Sequence, residues 1–239
     1  MRPLLLLSFV FLLFACGEPA SGDARFVFQL QDGLTHGEIA HLEDGLDAAY
    51  ERILGKLELE SVPPVTVSIW QDEDAYQAAM ERSLGSRAPG SRGYAFGRDE
   101  LRLLHHTRST AVPEAVHEFA HVASLNLNPD FGNNPRWLWE GVAIYLAGEK
   151  VDPAKSGIFD DGNCPTLAQL DAPFNNGGVI YAAGYFLIEF IETEWSFGHV
   201  VDLVRTNGNL EQSLGVDSDT FERRWCAFAS VVSGQRSPD

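Results

Sequence analysis

Apolar residues recur along this chain in two rhythms. Between Gly37 and Leu57, the positions Ile39, Leu42, Leu46, Ala49, Ile53, Leu54 and Leu57 keep the three-to-four spacing of a helix with one buried face. Val65-Thr-Val-Ser-Ile-Trp70 alternates instead, as a half-buried strand does, and Pro63-Pro64 stops the helix before it. Arg25 to Leu30 reads as another strand. Asp72 suits the cap of a helix running to about Leu84, and residues 84–91 read as loop. Two short extended runs, Arg92–Phe96 and Glu100–Leu104, flank Gly97-Arg-Asp99 and predict a hairpin. From Pro113 onward the pattern is helical, broken by one long loop at about 150–178 that is rich in Gly, Asp, Asn and Pro. The expected class is α+β, with a mixed α/β lobe over about 25–128 and a mainly α lobe over about 129–233.

The first residues follow neither rhythm. Arg2 and the apolar run from Leu4 to Ala15 match a secretory signal over 1–15, too short to span a membrane comfortably. Leu13-Phe14-Ala15-Cys16 resembles the lipobox of bacterial lipoproteins, which implies cleavage before Cys16 and acylation of that cysteine. It further implies an exported protein held in a bacterial cell envelope by its lipid, on the periplasmic or outer-membrane face. Residues 16–24 then read as the lipidated cysteine and a flexible tether. Residues 25–233 are enough for one good-sized domain. The net charge of −17 argues against nucleic acid or anionic membrane surfaces as partners. Cys164 and Cys226 remain, either as a disulfide, which export permits, or as two buried thiols.

The chemistry concentrates in Val112–Asn128, VPEAVHEFAHVASLNLN. Pro113 suits the first turn of a helix and Asn128-Pro129 its end. His117 and His121 are then one turn apart on one face, where two imidazole nitrogens can bind the same zinc ion. Glu118 projects beside that ion, placed to act as a general base towards a water. The residues between and around the histidines are apolar, so the helix is expected to be buried, and a buried His-Glu-His group without a partner is costly.

A zinc centre of this kind needs a third protein ligand. Asn134–Gly148, NPRWLWEGVAIYLAG, supplies a candidate: Pro135 opens a second helix, Trp137, Leu138, Val142 and Tyr145 give it an apolar face, and Glu140 is a lone carboxylate among them. Eighteen residues separate His121 from Glu140, enough to end one helix and bring a second alongside.

His117-Glu118-x-x-His121, eighteen residues and Glu140-Gly141 together resemble the gluzincin metallopeptidases, the clan of thermolysin and aminopeptidase N. The runs HVASLNL and WLWEGVAIYL are similar to the aminopeptidase N branch, and the C-terminal part to small bacterial proteins with a compact peptidase domain of this clan. The resemblance implies a zincin-like fold with one Zn2+ in the cleft between the lobes. His117, His121 and Glu140 would be its ligands and Glu118 the base. IYAAGYFLIEFIE resembles the segment whose first tyrosine donates to the oxyanion, which puts that role on Tyr181, with Tyr185 as the fallback. Gly93, Tyr94 and Ala95 fall where the clan has the edge strand that pairs with an extended substrate. Two departures stand out. Ile144 occupies the position of an aspartate that steadies a histidine in thermolysin-like members, and residues 93–97 hold none of the acid that anchors a free amine in aminopeptidases.

The resulting expectation is a zinc peptidase acting on a peptide or protein, endopeptidase rather than aminopeptidase. The competing expectation is an envelope-anchored binding or assembly module that keeps the fold without turnover, and a weaker one is a zinc hydrolase of a non-peptide bond. His36, His41, His105, His106 and His199 read as surface residues.

Overall fold

The computed structural model describes residues 24–159, 164–172 and 178–232; the signal segment 1–15 and Cys16 lie outside these. β1 (Phe26–Leu30) leads into α1 (His36–Lys56), whose first turn is fixed by the Glu38 carboxylate accepting from the amide and hydroxyl of Thr35. β2 (Val65–Trp70) and α2 (Glu73–Leu84) come next, with Asp72 capping α2 by accepting from the Ala75 amide at 2.8 Å. β3 (Gly93–Ala95) and β4 (Glu100–Leu104) form the expected hairpin, turned at Gly97 with φ of +77°.

The sheet order is β1-β2-β4-β3. β1, β2 and β4 are parallel, and β3 is antiparallel to β4 at the edge. One face carries α1 and α3 (Ala111–Leu127), where Phe119 sits edge-on to Phe26 and stacks on Tyr50. The other face is covered by α2, whose Tyr76 and Met80 pack on Tyr94 and Leu104.

The second half is helical: α4 (Arg136–Ala147), α5 (Pro153–Ser156), α6 (Leu167–Asp171), α7 (Val179–Glu194), α8 (Phe197–Arg205), α9 (Leu210–Leu214) and α10 (Ser218–Val232). α10 begins where Asp217 accepts from the Thr220 amide at 2.7 Å. The stretch expected to be loop at 150–178 contains α5 and α6, which are too short to leave a periodic apolar signature; α6 is revealed by its Thr166 cap and the buried Leu167 and Leu170. Cys164 and Cys226 are joined by a disulfide that ties this stretch to α10. One continuous apolar cluster runs from β1 through α3 and α4 to α10, so the two halves share a core. Among the described residues no helix is long and apolar enough to cross a membrane.

α4 and α7 cross with their backbones in contact. A Cβ at Gly184 would lie 2.8 Å from the Gly141 Cα, and a Cβ at Gly141 would lie 2.8 Å from the Gly184 carbonyl oxygen. Only glycine allows so close an approach. This crossing matters for the site because Glu140 precedes Gly141 and Tyr181 lies one turn before Gly184. Gly184→Ala must therefore push the helices apart. The expected loss is about 2–3 kcal/mol, read as a fall in melting temperature of roughly 5–10 °C. An unchanged melting temperature would show that the crossing tolerates separation.

Candidate metal centre

α3 and α4 meet so that His117, His121 and Glu140 converge, with one donor atom from each lying within 4.8 Å of the others. His117 Nε2 is 3.2 Å and His121 Nε2 3.6 Å from the same Glu140 oxygen. The three side chains are 12, 5 and 13 % exposed, so the group is buried but reachable from one side. The imidazoles stand perpendicular, with centroids 4.6 Å apart.

Charge in this pocket is unevenly held. Burial works against the Glu140 carboxylate, but the hydrogen bond from His117, together with the nearby His121 ring, prevails and holds it well below the usual carboxylate range. Burial likewise opposes the cationic form of His117, yet the Glu140 hydrogen bond and the nearby Glu118, Glu140 and Glu149 carboxylates outweigh it and raise its pKa. His121 is held down to about 4, chiefly by burial. The group attracts positive charge, and two imidazoles with a carboxylate form a donor set that can hold a metal ion.

Glu118 flanks the group without belonging to it. Burial pushes its carboxyl up to about 7, with the Glu140 and Glu114 charges adding to the effect; His117 and a hydrogen bond from the Ala95 amide act the other way. Gly93 makes room for it: a Cβ there would come within 2.7 Å of the Glu118 Cγ.

Both residues line a cleft of about 380 Å³ with Gly90, Ser91, Arg92, Glu114, His117, Ile144, Glu149 and Tyr181. Tyr181 is 40 % exposed, and its ring centroid is 6.0 Å from that of His117. Burial and the Glu140 and Glu118 charges push its hydroxyl up to about 12, so it is a proton donor at neutral pH. Tyr185 packs on Tyr145 and Phe186, both at 5.3 Å between centroids, and does not line this cleft.

The edge strand divides its residues. The bonds from the Phe96 amide to the Glu100 carbonyl and from the Leu104 amide to the Arg92 carbonyl fix the pairing parity. Gly93 and Ala95 thus turn their backbone groups away from the sheet, while Tyr94, paired with Arg102, turns its own inward. The Tyr94 side chain lies on the α2 face, its hydroxyl bonded to Ser83 and Arg102.

Several lining residues carry no motif and are found only in three dimensions. Glu114 sits one turn before His117 on α3, and Glu149 lies just beyond α4 with its carboxyl raised by burial. His106, expected at the surface, is half-buried: its Nδ1 accepts from the Arg108 amide, so Nε2 carries the proton and donates to Glu114 at 2.7 Å. His105 is also half-buried, with Nε2 buried and without a hydrogen-bond partner, and His199 is half-buried beside Ser196. His36 and His41 are exposed, as expected.

No family model and no curated protein matches this chain.

Proposed function

We propose that the protein is a zinc-dependent peptidase of the gluzincin type, built on a zincin-like fold and tethered to a bacterial envelope by a lipid on Cys16. The convergence of His117, His121 and Glu140 beside Glu118, at the wall of an open cleft, carries this reading. Zinc–ligand bonds of about 2.0–2.2 Å in a tetrahedron place neighbouring donors about 3.3 Å apart. The histidine–glutamate separations of 3.2 and 3.6 Å suit that arrangement. Zinc, when bound, would supply a Lewis acid that polarises a carbonyl and acidifies a water.

The remaining steps belong to the chain's own side chains. Glu118 takes a proton from the attacking water and delivers it to the leaving amine, a task matched by a carboxyl whose pKa burial has brought to about 7. Tyr181, protonated and facing the cleft, donates to the oxygen on which negative charge develops. An extended substrate aligns with the outward Gly93 amide and Ala95 carbonyl as an added strand. No carboxylate on the edge strand meets a free amine, which favours cleavage within a chain over removal of an N-terminal residue.

Metal analysis of the purified protein is expected to find about one zinc per chain. Profiling on a peptide library is expected to show cuts in N-terminally blocked as well as free peptides, all stopped by chelation. Zinc retained without cleavage of any peptide or protein would favour a non-catalytic binding module; absence of zinc would remove the metal reading.

A further inference from the structure

A metal-binding histidine normally donates its second ring nitrogen to a carboxylate or carbonyl, which locks the ring. His121 has no such lock: its Nδ1 is buried and without a hydrogen-bond partner. The torsion that turns an imidazole about its Cβ–Cγ bond is intrinsically broad. Something else must hold Nε2 towards Glu140. Trp139 lies flat on the His121 ring, with centroids 3.9 Å apart and planes within 10°. The indole is itself braced edge-on by the fully buried Phe131, 5.5 Å away at 62°.

We infer that Trp139 is a positioning residue for the metal centre, setting the plane of His121 by stacking where a hydrogen bond is lacking. The inference rests on His121 being a metal ligand. Stacking fixes the plane, because rotation out of it drives the imidazole edge into the indole. The approach of Nε2 to Glu140 at 3.6 Å then selects which edge of the ring faces the site. Trp139 and Glu140 are consecutive in the first turns of α4. One short piece of helix thus delivers both the third donor and the surface that aligns the second, so a shift of α4 moves the two together. Phe131, in the connection between α3 and α4, makes that connection part of the same support.

The test is zinc affinity of the full chain, by competition with a chromophoric chelator, together with the visible absorption of the cobalt-substituted protein. Trp139→Ala is expected to weaken zinc binding about 10–100-fold, the range for loss of a residue that orients a ligand, and to shift and broaden the cobalt bands. Trp139→Phe, which keeps a flat ring, is expected to restore most of the affinity and the spectrum. Trp139→Leu, apolar and bulky but not planar, is expected to behave like alanine. Should the alanine variant not fold, the phenylalanine and leucine variants carry the same comparison. Wild-type affinity and spectrum in the leucine variant would overturn the positioning role while leaving the metal centre standing. A wild-type chain that takes up neither zinc nor cobalt would overturn the metal reading, and the inference with it.

Discussion

Glu118→Gln is expected to lower peptide turnover about 10²–10⁴-fold while the bound metal stays at wild-type level. The substitution keeps the shape of the side chain and an oxygen to accept from the Ala95 amide, so the close contact with Gly93 is retained. It removes a carboxylate that lies beside the His117, His121 and Glu140 group without belonging to it and that can accept a proton from water. Burial already disfavours the charged carboxylate, so a neutral amide should leave the metal-free fold no less stable. Steady-state kinetics, metal analysis and thermal unfolding on one preparation read all three effects. Turnover within a few-fold of wild type would end the role of Glu118 as base, and loss of metal would make it part of the ion's support.

The core of this site is legible in the sequence because its parts are local. His117, Glu118 and His121 share one helix whose periodicity announces itself, and helix geometry alone puts the two imidazoles on one face. Glu140 betrays itself as a charge within an apolar stripe. The long helices and the alternating strands are legible through the same signals, since each buries a face that its spacing reveals. The hidden features depend on pairs of elements meeting in space. Trp139 is one aromatic among several in α4, and only the crossing of α3 and α4 lays it on His121. Glu149 and Arg92 come from loops, so no period marks them as cleft residues. His106 looks like a surface residue because its partner, Glu114, lies in the next helix. Tyr94 shows the converse: the strand is identifiable, but which residues turn outward is set by the pairing parity with β4. The short helices α5 and α6 escape because one turn holds no pattern.

The largest effect on the metal itself is expected from Glu140→Gln. Among the described residues Glu140 approaches both histidines, at 3.2 and 3.6 Å, and its charge, with those of Glu118 and Glu149, favours a cation in the pocket. A neutral amide keeps the volume and one oxygen but removes the anionic donor, leaving two imidazoles in a buried pocket. Zinc affinity should fall by more than the about 10–100-fold expected for loss of an orienting partner. Thermal unfolding separates this from damage to the fold. Zinc at about 100 times its Kd stabilises a wild-type site by about 2.7 kcal/mol, which for a chain of this size is a rise of roughly 5–10 °C. The glutamine variant should show no such rise at the same zinc concentration. Its metal-free melting temperature should fall below that of the wild type, because the pairing with the histidines that outweighs the burial of the carboxylate is lost. The zinc-dependent rise is therefore read against each protein's own metal-free value. A zinc-dependent rise of wild-type size in the variant would show that the ion is held without Glu140, and the donor set would have to be sought among the other carboxylates of the cleft, Glu114, Glu118 and Glu149.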